Sequence, residues 1–247
     1  MDGGTNLTTP PSVNVREHAL FLDVDGTLLD IADTPDAVAA SAELRAVLKR
    51  LEPRLSGALA LVSGRPIADI DAIFTPLRLP VAGLHGLERR DAGAHVHHAR
   101  SDGGLDDIKA TLQTFVQDHD GALLEDKRVS LALHYRQAPG AEADARELAQ
   151  SLIAERDDLH MLAGKMVFEI KPVHVDKGVA IDRFMEEQPF LGRTPIFVGD
   201  DVTDEDGFRA VNARDGVSIR VGPRTQTNAR HRIVNVGSVI EWLANIM

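Results

Sequence analysis

Two aspartates at the end of an apolar run are the first residues in this chain that could do chemistry. Asp23 and Asp25 follow the run ALFL, and Gly26 allows the backbone to turn directly after them. The run is typical of a short strand buried in a parallel sheet. Burying two carboxylates at such a strand end is unfavourable unless a cation lies between them or a reaction uses their charge. The pair therefore predicts metal binding or acid–base chemistry at this position.

Further polar residues follow other apolar runs or open a predicted helix. Ser63 follows ALALV, Asp200 follows PIFVG, and Lys177 stands where a helix is predicted to begin. Because the carboxyl ends of parallel strands lie at one edge of a sheet, we expect these side chains to meet Asp23 and Asp25. Carboxylate ligands suit a hard cation such as Mg²⁺. A lysine, a hydroxyl and a helix N-terminus suit phosphate oxygens. The predicted chemistry is metal-assisted phosphoryl transfer through a carboxylate nucleophile.

The elements that must position these residues alternate between strands and helices at both ends of the chain. Before about Asp91 and after Pro172, apolar runs of strand length are followed by apolar residues at helical spacing. Such a chain is predicted to form a parallel sheet with helices on both faces. In the last segment, Ser238 is predicted to cap a closing helix that contains Trp242.

The middle of the chain has a different pattern. Leu131, Leu133 and Tyr135 alternate with polar residues, which is typical of a sheet with one covered face and one open face. Two amphipathic helical patterns in the same region would supply the cover. The predicted fold class is α/β, a Rossmann-like parallel-sheet core with an inserted α+β domain. The predicted boundaries are a disordered leader at 1–16, core segments at 17–91 and 173–247, and the insert at 92–172.

Composition restricts the partners. The 247 residues carry a net charge of −11, which argues against nucleic acid or an anionic membrane as the main partner. There is no cysteine, so disulfides and thiolate metal sites are excluded. No apolar run approaches the roughly 20 residues of a membrane helix, and no signal peptide is recognisable. We therefore expect a cytoplasmic protein that acts as a monomer on a small molecule.

Four polar motifs resemble, in this order, those of the haloacid dehalogenase (HAD) phosphohydrolase superfamily: DVDGT from Asp23, Ser63, Lys177 and GDD from Gly199. Additional runs are similar to one branch, the trehalose-6-phosphate phosphatases. They are VSGR at 62–65, GLHG at 83–86, SLALHYR at 130–136, GK at 164–165, EIKP at 169–172 and GDDVTDED at 199–206. The resemblance implies a HAD core in which the insert is a cap that determines substrate specificity.

The resemblance also implies a role for each motif residue. Asp23 would attack phosphorus to form an aspartyl-phosphate, and Asp25 would protonate the departing sugar oxygen and then activate water. Mg²⁺ would be held by the Asp23 carboxylate, the Asp25 backbone carbonyl and Asp200. Ser63 and Lys177 would bind phosphate oxygens. The implied activity is Mg²⁺-dependent hydrolysis of trehalose 6-phosphate to trehalose and phosphate.

Outside these residues, the resemblance implies supporting and sugar-binding groups. Asp201 and Asp204 would orient the metal ligands from the second shell. The implied substrate-binding residues are Arg65, His85, Glu125, Lys127, Lys165 and Glu169. The implied partner is a sugar phosphate, with a trehalose-phosphate synthase as a candidate protein partner.

Alternatives remain open at this point. The same motifs suit a HAD phosphatase for another sugar or sugar-acid phosphate, or a non-catalytic domain that binds a sugar phosphate and regulates a synthase; the complete set of carboxylates disfavours the second. Arg65 would contact substrate or tie its loop to a carboxylate. His95, His97 and His98 are interpreted as exposed hairpin residues rather than a metal site, because no acidic partner is recognised at ligand spacing.

Overall fold

The structure is a computed structural model that describes residues 8–31, 39–98, 105–126, 130–164, 166–173, 175–223 and 226–246. The chain divides into two compact units. They are a core unit, Met1–His97 with Asp176–Met247, and an inserted unit, His98–Val175.

The described strands and helices follow one another in this order: β1 (His18–Leu22), α1 (Ala42–Arg54), β2 (Leu59–Val62), α2 (Ile67–Phe74), β3 (Val81–Gly83), β4 (Glu88–Arg90), β5 (Val96–His98), α3 (Asp106–Asp118), β6 (Leu123–Asp126), β7 (Leu131–His134), α4 (Glu142–Ile153), β8 (Leu159–Gly164), β9 (Val167–Pro172), α5 (Lys177–Met185), β10 (Thr194–Gly199), α6 (Asp204–Ala213), β11 (Val217–Val221), β12 (His231–Ile233) and α7 (Val236–Ala244).

An eight-stranded sheet forms the centre of the core unit, in the order β12-β11-β10-β1-β2-β3-β4-β5. The strands from β12 to β3 are parallel, and β4 joins β3 in the antiparallel direction. The chain extends the sheet on one side of β1 through β2 and β3, and on the other side through β10 to β12. β1 therefore stands at the topological switch point, where α/β proteins bind their ligands beyond the carboxyl ends of the strands.

Aromatic packing fixes α5 against the central strand. Phe21 of β1 lies 5.9 Å from Phe184 of α5 and 5.3 Å from Phe190, measured between ring centroids. All three side chains are fully buried, and burial of an aromatic side chain is among the larger contributions to a core. This contact brings the first turn of α5, which begins with Lys177, close to the end of β1 at Asp23.

The inserted unit is an antiparallel sheet in the order β6-β7-β9-β8 with two helices on one face. Its core combines side chains from α3 and α4 with alternate sheet residues, among them Leu131, Leu133, Phe168 and Ile170. The opposite face carries the alternating polar residues. The alternation in sequence thus corresponds to one covered face.

The fold class is confirmed, and the structure differs from the sequence-based boundaries in two respects. The core unit continues to His97, beyond the predicted boundary at Asp91, because β4 and β5 extend the core sheet. Residues 8–16 were predicted to be disordered, yet Thr8 pairs with His231 at the edge of β12, and Val13 packs against the core. Within the described ranges, none of the helices has the length and apolar composition of a membrane-spanning segment.

Candidate active site

A buried lysine lies between two buried carboxylates at the carboxyl end of β1. The Lys177 ammonium donates hydrogen bonds to Oδ1 of Asp23 at 2.7 Å and to Oδ1 of Asp204 at 2.6 Å. The three residues are at most 3% exposed. Although burial lowers it, the two carboxylates raise the pKa of Lys177 above its ordinary value, so the lysine is held in its charged form.

Asp204 organises the loop that follows β10. Its second oxygen, Oδ2, accepts hydrogen bonds from the backbone N–H groups of Asp200 and Asp201, each at 2.8 Å. Both carboxylate oxygens of Asp204 are therefore engaged by the protein. Asp201 itself is exposed, and it takes part in these contacts through its backbone.

Three carboxylates are close enough to hold a metal ion. One oxygen from each of Asp23, Asp200 and Asp204 lies within 4.8 Å of the others. Burial raises the pKa of Asp23 to about 8; the neighbouring carboxylates add to this effect, and Lys177 opposes it. Burial, together with the charges of Asp204 and Asp201, raises the pKa of Asp200 to about 6. A hard divalent cation among these oxygens would lower both pKa values, so the donor set fits Mg²⁺.

Gly26 permits the close approach of two loops at this cluster. Its φ is +79°, and a Cβ added there would lie 2.1 Å from Oδ2 of Asp200. The Thr27 hydroxyl also donates to Oδ1 of Asp200 over a long 3.5 Å. The turn after Asp25 is thus packed directly against the Asp200 carboxylate, which explains why glycine stands in the motif at this position.

The Arg65 guanidinium lies beside Asp25, and Ser63 contacts the backbone of Arg65. Ser63 is fully buried, and its hydroxyl accepts the backbone N–H of Arg65 at 3.1 Å. Arg65 donates from Nε and Nη2 to the two oxygens of Asp25, both at 2.7 Å. Arg65 was expected either to contact substrate or to bind a carboxylate, and in the structure it binds the Asp25 carboxylate. The bidentate pair fixes the orientation of Asp25 at the edge of the site.

A strained turn brings His85 to the same loop. Leu84 and His85 have φ values of 49° and 58°, which side-chain-bearing residues adopt rarely, and such strain is concentrated at functional sites. The backbone N–H of His85 donates to the Ser63 carbonyl at 2.9 Å. A Cβ on Gly64 would lie 2.8 Å from the imidazole ring, so the ring lies directly over that glycine.

Two charged residues of the site were missed by the sequence analysis. Glu88 accepts the N–H of Ile67 at 3.0 Å, so a carboxylate already occupies part of the α2 N-terminus that was predicted to attract phosphate. Arg220, on β11, donates to the backbone carbonyls of Asp200 and Asp201. The only sign of Arg220 in the sequence was a basic residue in the strand VSIRV. A basic residue in such a strand is ordinarily predicted to face solvent.

In the inserted unit, the predicted sugar-binding carboxylates lie on one row of the sheet. Glu125 and Glu169 both pair with Ala132, from opposite sides. The Ser130 hydroxyl donates to Glu169 at 2.7 Å, and Glu125 lies 3.0 Å from Nε2 of His134. The two remaining predicted sugar contacts, Lys127 and Lys165, lie outside the described residues.

Asp91 is an acidic partner of the hairpin that contains His95 and His97. Asp91 lies 2.9 Å from Nε2 of His97 and 3.4 Å from Nδ1 of His95, an acidic partner that was not recognised at ligand spacing in the sequence. Burial opposes the effect, but hydrogen bonds from His97 and from the His95 backbone lower the pKa of Asp91 to about 2. His95 is 78% exposed, and the cluster is a hairpin whose histidines contact Asp91. The pairing was missed because it crosses the turn.

The parallel sheet, its switch point and the inserted unit together define the HAD phosphohydrolase class of fold, as the motifs predicted. The family model for trehalose-phosphatase matches residues 21–235. The chain therefore belongs to the trehalose-phosphatase family.

Relatives and a solved structure agree with this assignment. A protein of Sinorhizobium fredii named a probable trehalose-phosphate phosphatase is 45% identical, over 89% of this chain and 83% of its own. The trehalose-6-phosphate phosphatase of Escherichia coli is 42% identical, over 97% and 90%. The structure of Aspergillus fumigatus trehalose-6-phosphate phosphatase is similar with a TM-score of 0.74 and 26% identity, covering 96% of this chain and 98% of that one.

Proposed function

We propose that this chain hydrolyses trehalose 6-phosphate to trehalose and phosphate through a phosphorylated Asp23. The observation that carries the proposal is the buried cluster at the end of β1, in which Asp23 is 2.7 Å from the Lys177 ammonium and close to Asp200. A carboxylate held by a lysine at the switch point of a HAD fold is suited to attack phosphorus. Membership of the trehalose-phosphatase family supports the substrate.

Each side chain has a distinct task in the proposed reaction. A carboxylate oxygen of Asp23 attacks phosphorus, and the bond from phosphorus to the sugar oxygen breaks. Asp25 gives that oxygen a proton, and afterwards removes a proton from the water that hydrolyses the aspartyl-phosphate. Lys177 and Ser63 bind phosphate oxygens, and the contact of Lys177 with Asp23 aligns the nucleophile. Arg65 holds Asp25 in one orientation through its two hydrogen bonds.

We propose Mg²⁺ as the cofactor of this site. The Asp23 and Asp200 carboxylates and the Asp25 carbonyl would hold it, while Asp204, whose two oxygens are engaged by Lys177 and by backbone N–H groups, would orient them. When bound, Mg²⁺ supplies positive charge that offsets the phosphate and the crowded carboxylates.

The specificity for a disaccharide is assigned to the inserted unit. Glu125 and Glu169 lie on one row of its open face, where carboxylates accept hydrogen bonds from sugar hydroxyls. Lys127 and Lys165 complete the proposed set, and His85 and Arg65 of the core unit would contact the substrate near the phosphate. Ser130 and His134, which hydrogen-bond the two glutamates, would fix the carboxylate orientations.

The cellular setting follows from the proposed substrate. A phosphorylated sugar is charged and does not cross membranes unaided, so its phosphatase should act where the sugar phosphate is made. We therefore propose that the chain acts in the cytoplasm, and that its substrate comes from a trehalose-phosphate synthase, the candidate protein partner. The monomeric state stays a prediction from the sequence.

The experiment is phosphate release from trehalose 6-phosphate by the wild-type chain and by Asp23→Asn, with Mg²⁺ and with EDTA. The substitution retains the shape of the side chain but removes its nucleophilic charge, so turnover should be lost while the protein stays folded. Asp69→Asn, at an exposed position of α2, is the matched control and should retain activity. Turnover by the Asp23 variant at the wild-type rate would disprove the assignment of the nucleophile.

A further inference from the structure

Arg220 contacts the loop that carries Asp200. It lies in β11, the strand beside β10, and is 6% exposed. Its Nη1 donates to the carbonyl of Asp201 at 3.2 Å, and its Nη2 donates to the carbonyl of Asp200. Hydrogen bonds from a charged donor are roughly twice as strong as those between neutral groups, and these two come from one rigid guanidinium.

Asp204 binds the backbone N–H groups of Asp200 and Asp201, the two residues whose carbonyls Arg220 binds. Oδ2 of Asp204 accepts the N–H groups of Asp200 and Asp201, while Arg220 donates to their carbonyls. The N–H and C=O groups of both residues are therefore fixed by buried charged side chains. Because the backbone of Asp200 is fixed, its carboxylate is presented at a set position beside Asp23.

Arg220 is in turn positioned by a buried glutamate. Oε1 of Glu205 lies 3.7 Å from Nη1 of Arg220. Oε2 of Glu205 accepts hydrogen bonds from the backbone N–H and the side-chain amide of Asn228, at 2.7 Å and 3.0 Å. Glu205 is 8% exposed, so its charge needs a partner, and the pair with Arg220 provides one. Residues from α6, β11 and the segment before β12 thus converge behind the loop.

We propose that Arg220 is a positioning residue that sets the affinity of the site for Mg²⁺ by fixing the loop of Asp200. This inference rests on the proposed function, since that function requires Asp200 as a metal ligand. Arg220 donates to backbone carbonyls behind the ligand and acts through Asp200. Substitution of groups that orient metal ligands weakens metal affinity by about 10- to 100-fold, and we expect an effect of this size.

The test measures Mg²⁺ binding directly, by isothermal titration of MgCl₂ into metal-free protein. Arg220→Met removes the charge and both hydrogen bonds, and its dissociation constant should rise by about tenfold or more relative to the wild type. Arg220→Lys keeps the charge but lacks the planar fork, so it should also bind Mg²⁺ more weakly. The matched control is Arg214→Met, which removes an exposed arginine paired with Asp182 and should bind as the wild type does.

Melting of the metal-free variants shows which of them are folded, so that Mg²⁺ binding is compared only between folded proteins. A folded Arg220→Met protein that binds Mg²⁺ within about twofold of the wild type would overturn the inference, whatever its melting temperature. If that variant does not fold, Arg220→Lys decides instead, because it keeps the positive charge and loses only the planar fork; Mg²⁺ binding within about twofold of the wild type would then refute the inference. A wild-type chain that binds no Mg²⁺ would contradict the proposed metal site itself, which is a different outcome.

Discussion

Replacing Lys177 by methionine tests the electrostatic balance of the site. The substitution keeps most of the side-chain volume and removes the ammonium that lies 2.7 Å from Asp23 and 2.6 Å from Asp204. Removing one partner of a buried ion pair destabilises a protein by about 3–5 kcal/mol because the other charge stays buried without compensation. Two carboxylates are affected here, but Asp23, whose pKa is about 8, is already largely protonated near pH 7.5 without metal, so the loss should fall at the lower end of this range. We expect a loss of about 3–4 kcal/mol in the free energy of unfolding.

The assay is urea unfolding in EDTA at about pH 7.5, with the wild type, Lys177→Met and the exposed control Lys49→Met. The control should lie within about 0.5 kcal/mol of the wild type. The deficit of the Lys177 variant should shrink at about pH 5, since protonation neutralises the carboxylates that it leaves unpaired. A free energy of unfolding within about 1 kcal/mol of the wild type, with a native fold, would refute this account of the buried triad.

Three further predictions concern Asp25, Asp200 and the metal-free state. Arg65→Met should slow the first step, phosphorylation of Asp23 in a single turnover, about 100-fold with trehalose 6-phosphate, because Asp25 loses its bidentate partner. With p-nitrophenyl phosphate the same step should slow less than about threefold, because that leaving group needs no proton. Gly26→Ala places a Cβ against the Asp200 carboxylate and should weaken Mg²⁺ binding, measured by calorimetry, about tenfold or more. In EDTA, thermal melting should show stability falling as pH rises from about 5 to about 8.5. The reason is that folded Asp23 and Asp200, with pKa values of about 8 and about 6, retain protons that the unfolded chain has released.

Each of these predictions has its own contradicting result. Equal losses on the two esters would contradict the positioning of the acid by Arg65; Arg183→Met, at an exposed position, serves as the control. Gly192 has a φ of +80° with open space around it, so Gly192→Ala controls for backbone strain. Unchanged Mg²⁺ binding by the Gly26 variant would contradict the close packing. Stability in EDTA that rises with pH would contradict the pKa shifts caused by burial.

Periodicity in the sequence predicted which strand ends are followed by polar residues. Asp23, Ser63 and Asp200 each follow an apolar run, and parallel strands bring their carboxyl ends to one edge. Lys177 was predicted to stand at the start of a helix, and α5 begins there. The inserted unit was predicted from alternation, since a sheet with helices on one face needs apolar residues at every second position. These inferences depend on periodicity, which is a local property.

Features that depend on contacts distant in sequence were not predictable. Arg220 of β11 and Glu205 of α6 come together only when the strands and helices pack, and no local sequence pattern indicates this contact. Asp91 meets His97 only after the hairpin forms. The predicted N-cap of the last helix was wrong because two nearby polar residues are both able to cap a helix. Asn235 caps α7, and its side chain accepts the N–H of Ser238, so Ser238 is not the cap.

The most direct test of the central claim compares three substrates. Phosphate release is measured for trehalose 6-phosphate, sucrose 6-phosphate and glucose 6-phosphate at equal concentration, each with Mg²⁺ and with EDTA. The proposed function predicts that kcat/KM with Mg²⁺ is highest for trehalose 6-phosphate by about 100-fold or more, because the groups of the inserted unit bind the second glucose ring, and that EDTA abolishes release. A higher kcat/KM for glucose 6-phosphate, or equal release in EDTA, would contradict the proposal.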